Sequence, residues 1–162
     1  MPLTFAVPKK MTLLLRLVFM STNESTIQQK GFSTKLRDYK ELVKFTLNIT
    51  VVFSSIMAYM LVPNIEFNLK MLILLGLGGF LVTGSANTIN QIYEKESDAL
   101  MKRTGSRPIA AGRMGLTEAW TFAVLSLLLG VFIMWQYFNM ESALLSLLSW
   151  FLYSFIYTPL KK

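Results

Sequence analysis

Four long apolar stretches separated by short polar connectors organise this chain of 162 residues. They read FTLNITVVFSSIMAYMLV (45–62), MLILLGLGGFLVTGSANTINQI (71–92), AWTFAVLSLLLGVFIMWQYF (119–138) and ALLSLLSWFLYSFIYTPL (143–160). Each approaches the ~20 residues that carry a helix across the hydrocarbon core of a bilayer. A segment in lipid must satisfy its own backbone hydrogen bonds, and no alternating barrel pattern is present. The pattern therefore predicts an all-α, multi-pass transmembrane helix bundle with four spans in the region 37–162.

The first 36 residues are different. MTLLLRLVFM (11–20) is apolar but short, and Arg16 interrupts it, so it does not read as a span. No small-residue cleavage pattern follows it, which argues against a signal peptide. Residues 1–36 read as a flexible lead-in; a transit peptide, or a true start at Met20, are the alternatives.

Charge then orients the spans. Lys30, Lys35, Arg37, Lys40 and Lys44 precede the first stretch, five cations lie between the second and third, and Lys161 and Lys162 follow the fourth. The connector after the first stretch holds only Lys70, and the Asn139–Glu141 turn holds no cation. With positive charge inside, both termini and the charged loop face the cytoplasm. The expected location is a bacterial inner (plasma) membrane, ahead of the mitochondrial inner membrane. The net charge of +7 comes from residues flanking apolar runs, not from a basic face on a soluble module, so no nucleic-acid partner is expected. Cysteine and histidine are both absent, which removes thiolate and imidazole chemistry and leaves carboxylates, Lys/Arg, Tyr and a hard metal.

The densest charge sits in NQIYEKESDALMKRTGSRPIAAGR (90–113). The second stretch ends in Ser85, Asn87, Asn90 and Gln91, and neither Pro nor Gly occurs before Gly105, so its helix is expected to run on without a break. Asn90, Glu94 and Asp98 then fall at i, i+4 and i+8. They drift by only ~40° per step and share one face over about 12 Å, while Glu96 points elsewhere. An amide and two carboxylates are hard oxygen donors, suited to Mg²⁺ rather than zinc or copper. Lys102, Arg103, Arg107 and Arg113 follow, and guanidinium groups pair with phosphate oxygens. GSRP should turn the chain, with the next helix starting near Thr117. The plainer alternative is a solvated helix end bearing surface ion pairs. On that reading Lys102 is a positive-inside residue, and Tyr93 and Trp120 are interfacial anchors.

The wording N-x-x-x-[DE]-x-[DE]-x-D-x-x-M-x-R-T-x-x-R-P, followed by GRM, resembles the first aspartate-rich motif of the UbiA-type intramembrane prenyltransferases. It looks closest to the branch that farnesylates haem, and DYKELVKF (38–45) and YTPLKK (157–162) are similar to that branch too. The branch acting on aromatic quinone precursors shares the motif but usually ends its fourth span differently. The resemblance covers roughly residues 37–162 and implies four spans of a nine-helix fold with a cytoplasm-facing site. It implies farnesyl diphosphate and haem b as substrates, and Mg²⁺ bridging the motif carboxylates and the diphosphate. Asn90, Glu94 and Asp98 would be the catalytic and metal residues. Lys44, Lys102, Arg103, Arg107, Arg113, Tyr157 and Lys161 would contact the diphosphate. Glu94 stands where the family more often has Asp. The family's second aspartate-rich motif, between its sixth and seventh spans, is not in this sequence. The chain is therefore expected to be an N-terminal portion, inactive without a C-terminal half. The rivals are a quinone-precursor prenyltransferase and a non-enzymatic four-span membrane adaptor whose loop binds a partner or anionic lipid.

Overall fold

The computed structural model describes residues 33–63 and 67–160, and among them every regular element is a helix. α1 is Ser33–Leu42. It is followed by α2 (Phe45–Met60), α3 (Leu69–Tyr93), α4 (Lys95–Leu100), α5 (Leu116–Tyr137) and α6 (Met140–Phe151). A π-helical turn, Leu152–Tyr157, leads into α7 (Thr158–Leu160). The compact unit that carries the end of α1 and the helices after it begins at Asp38. MTLLLRLVFM and Lys161 lie outside the described residues. α1 starts inside the segment expected to be a flexible lead-in, so the last residues of 1–36 are helical instead.

Three helices are long and apolar enough to cross a membrane: Leu69–Tyr93, Leu116–Tyr137 and Met140–Leu160. The remaining expected span corresponds to α2, only 16 residues long. It reaches crossing length only together with α1, as one span bent by 55°. No proline or glycine marks that bend. Lys44 takes a left-handed conformation there, φ 50° and ψ 59°, and three carbonyls next to the bend are held from α3. Gln91 Nε2 donates to Leu42 O at 2.8 Å and Glu41 O at 3.2 Å, and Asn87 Nδ2 donates to Val43 O at 3.1 Å. Inside a bilayer such groups have no water to turn to, so the α3 amides make the break tolerable.

Polarity in the bundle is turned inward. Leu125, Leu128, Leu129 and Phe132 of α5 are more than half exposed, whereas Asn48, Ser85, Thr88, Asn90 and Gln91 are fully or almost fully buried. Association of helices in lipid relies on close packing and interhelical hydrogen bonds rather than on hydrophobic burial. Both are present. A Cβ on Gly130 would lie 2.7 Å from Val82 Cγ2 and 3.0 Å from Gly78 O, so α3 and α5 cross nearly backbone to backbone. Ser85 Oγ donates to Ala123 O at 2.7 Å and accepts from Trp150 Nε1 at 3.0 Å, tying α3, α5 and α6 at one level. Asn68 and Asn139 accept from Met71 N and Ser142 N, capping α3 and α6.

Past the polar end of α3 the expectation of an unbroken helix needs correcting. Glu94 interrupts it with φ −87° and ψ 1°, and the helix stops at Leu100, short of Gly105, where Met101 turns extended. The interruption is shallow: Glu94 N still donates to Asn90 O at 3.0 Å and Asp98 N to Glu94 O at 2.7 Å. The loop that follows is a succession of hydrogen-bonded turns. Gly112, at φ +70°, supplies a left-handed position there that L side chains rarely adopt. Ile109 and Met114 pack with Leu42 and Ala119, against Tyr39, Ile92 and Phe122, and so dock the loop on the helices. The next helix begins at Leu116, one residue before Thr117.

Candidate functional site

The shallow break leaves Asn90, Glu94 and Asp98 in one row. Asn90 Nδ2 donates to Glu94 Oε2 at 3.0 Å. Arg107 reaches back from the loop, its Nη1 lying 3.3 Å from Glu94 Oε2 and 2.5 Å from Asp98 Oδ2. Thr104 Oγ1 donates to Asp98 O at 3.3 Å, holding the loop start against α4. Asn90 and Asp98 are only 2% and 3% exposed. A solvated helix end would leave such a carboxylate in water, so burial beside one guanidinium marks a built arrangement. Glu96 is exposed, off this face as expected.

A hollow of about 150 Å³ opens against this row, lined by Glu94, Ser97, Asp98, Met101, Arg103, Thr104 and Arg107. Of the residues expected to contact a diphosphate, Arg103 and Arg107 are thus gathered with the carboxylates. Lys102 is exposed on the same loop and does not line the hollow. Lys44 sits at the bend between α1 and α2. Tyr157 stacks on Tyr153, ring centroids 5.4 Å apart, beside a separate apolar depression lined by Leu152, Ile156 and Leu160. Arg113 is engaged elsewhere: Nε lies 2.7 Å from Asp38 Oδ1, Nη2 lies 2.9 Å from Glu41 Oε2, and Nη1 donates to Ser106 O at 2.9 Å. The hydrogen bond that Arg113 donates to Asp38 raises the Arg113 pKa above its ordinary value, the nearby carboxylate charges adding to it against a smaller desolvation cost. Its charge is fixed, and each of its three nitrogens has a partner.

One residue absent from the sequence expectation joins the row. Thr158 is fully buried, with Oγ1 3.2 Å from Asn90 Oδ1 and 2.9 Å from Tyr153 O. Its only local signal is the following Pro159, which perturbs the helix but does not say what it packs against. A second cavity, about 360 Å³ and mostly apolar, lies one turn back along α3 between Val82, Ala86 and Asn87 on one side and Leu47, Val51, Trp150 and Tyr153 on the other.

The row can be tested for a metal. Among the described residues no group of three or more acidic side chains gathers, so a closed protein cage is not built. Two carboxylate oxygens directed at one cationic position do match an open Mg²⁺ site, in which water and substrate oxygens complete the shell. Arg107 holds that cationic position here.

A family model described as the UbiA prenyltransferase family matches residues 51–162. Among curated proteins, the protoheme IX farnesyltransferase of Cytophaga hutchinsonii is 45% identical over 129 residues, covering 80% of this chain and 45% of that protein. The protein of the same name from Flavobacterium johnsoniae is 44% identical over 126 residues, 76% of this chain and 42% of that one. The mitochondrial protoheme IX farnesyltransferase of Arabidopsis thaliana is 35% identical over 127 residues, 78% and 30% respectively. The chain spans less than half the length of these relatives. No solved structure matches it.

Proposed function

This chain belongs to the UbiA prenyltransferase family, and on that premise we propose that it carries the first aspartate-rich half-site of a haem-farnesylating enzyme. The reaction moves a farnesyl group from farnesyl diphosphate to a vinyl group of haem b. The bond between the allylic carbon and the diphosphate oxygen breaks, its electron pair leaving with the diphosphate. The outer vinyl carbon forms the new carbon–carbon bond, and water adds its oxygen to the inner carbon and releases a proton, giving the hydroxyl of the hydroxyethylfarnesyl product. The observation that carries the reading is the hollow lined by Glu94, Asp98, Arg103 and Arg107, with the buried Asn90 bonded to Glu94 behind it, at the end of a helix long and apolar enough to cross a membrane.

Glu94 and Asp98 would hold Mg²⁺, which when bound supplies positive charge to the departing diphosphate. Arg107 neutralises both carboxylates. With a metal held at Glu94 and Asp98, Arg107 would be free to pair with the diphosphate oxygens, and Arg103 would serve as a second clamp. The apolar cavity along α3 suits the isoprenoid tail. Preorganised cations around a leaving diphosphate need no histidine. The site is read as opening to the cytoplasmic side of a plasma membrane, where the cations of the loop belong.

A chimera tests the reading. This chain replaces the matching N-terminal part of the Cytophaga hutchinsonii relative, in cells with no other haem-farnesylating enzyme. Farnesylated haem should accumulate, and Asp98→Asn should abolish it. Prenylation of 4-hydroxybenzoate instead would move the chain to the quinone-precursor branch. A membrane-inserted chimera that prenylates neither would leave the adaptor reading.

A further inference from the structure

We propose that Thr158 is a positioning residue that sets the amide orientation of Asn90 and, through it, the carboxylate of Glu94. The placement of protons dictates this. Glu94, paired with Arg107, is an ionised carboxylate and can only accept hydrogen bonds. Asn90 must therefore turn its nitrogen to Glu94, which leaves its oxygen facing Thr158. The Thr158 hydroxyl has one proton and two acceptors in reach, Asn90 Oδ1 and Tyr153 O. The Tyr153 carbonyl already accepts from the backbone N–H of Thr158. The hydroxyl proton is thus needed at Asn90, whose buried oxygen has no water to replace it.

The π-helical turn creates this reach. Pro159 has no N–H to give, and in an α-helix its ring would crowd the carbonyl of Phe155. Widening the turn to an i→i−5 bond, Thr158 N to Tyr153 O, relieves the crowding and inserts one residue into the helical register. Without that insertion Thr158 would sit about 100° round the helix from its present place. A proline-induced irregularity thereby becomes a contact between the chain's last described helix and α3.

The effect on metal and diphosphate rests on the function proposed above; the orientation of Asn90 does not. The test uses the 162-residue chain in lipid nanodiscs, comparing Thr158→Val, Thr158→Ala and Thr158→Ser. One readout is the side-chain NH₂ resonance pair of Asn90 in an asparagine-labelled sample, identified by its loss in Asn90→Asp. The other is Mn²⁺ binding in the presence of inorganic diphosphate, followed by electron paramagnetic resonance. Val and Ala should shift the Asn90 resonances and weaken Mn²⁺ binding about tenfold, the scale of one lost buried hydrogen bond. Ser should restore both. The inference is overturned if Val and Ala leave the Asn90 resonances in place, or if Ser fails together with them. Asp98→Asn separates the two ideas: unchanged Mn²⁺ binding in that variant would remove the proposed metal site, while the Asn90 resonances still judge Thr158.

Discussion

Arg107 and Arg113 lie six positions apart in one loop, and each holds two carboxylates, yet they do different work. Arg113 joins Asp38 and Glu41, 75 and 72 residues away in sequence, and adds a bond to Ser106 O. Arg107 joins Asp98 and Glu94, only 9 and 13 residues away. Depth does not distinguish them, because the Asp38 and Asp98 side chains are 4% and 5% exposed. Space does. The Arg107 group lines a hollow that can admit new oxygens, whereas the Arg113 group fixes the loop to the end of α1 just ahead of the residue that carries the other cluster. Two identical inventories of charge thus yield a tether and, on the function proposed above, a place for exchange.

The strongest way to break that comparison is to neutralise one buried carboxylate in each group. Asp98→Asn should weaken diphosphate-dependent Mn²⁺ binding by on the order of a hundredfold, since a ligating charge is lost. Asp38→Asn should lower the melting temperature while changing that binding less than about threefold. Similar binding losses in the two variants would mean that both groups serve the ligand.

Removing the cations sharpens the point. Arg107→Ala and Arg113→Ala each strand a buried carboxylate, which costs about 2 kcal/mol once the partial exposure of the arginines is allowed for. Millimolar Mg²⁺ should return much of the loss in Arg107→Ala, because a cation that binds only the folded state stabilises it. It should return little in Arg113→Ala. Thermal melts with and without Mg²⁺ read both, and equal recovery would erase the distinction.

These two arginines also show what the sequence could and could not reveal. The Asn90, Glu94, Asp98 row was legible because it is local: helical spacing survives even the break at Glu94, whose backbone bonds persist on both sides. The spans were legible because lipid demands long apolar runs. The partner of Arg113 was not, since loop spacing says nothing about a carboxylate on α1. The same limit hid Thr158, brought to Asn90 across 68 positions. It also hid the bend at Lys44, where no local breaker stands and the carbonyls are held by a pair of amides on another helix. Four spans were expected from hydropathy, but the first reaches crossing length only as two helices bent by 55°.

The smallest effect is expected from the residue that stands between the two regions. Gln91 holds Leu42 O and Glu41 O through its nitrogen, and its own Oε1 has no hydrogen-bond partner among the described residues. Gln91→Leu therefore takes the side-chain donor from Leu42 O, while Glu41 O still accepts from Lys44 N at 3.2 Å, and it also removes one unsatisfied oxygen, so the net cost should be only about 1 kcal/mol. The loss should fall unevenly. Glu41 is itself a partner of Arg113, so loosening the end of α1 should speed amide hydrogen exchange around Val43 and Arg113. Asn90 faces the other cluster from an adjacent position on α3 and keeps its bond to Glu94. Mn²⁺ binding with diphosphate should therefore stay within about twofold, the change expected when no ligand is touched. Exchange measured by mass spectrometry alongside that binding separates the two cases: if both clusters loosen together, the tether and the site are one cooperative unit and the division between the arginines does not hold.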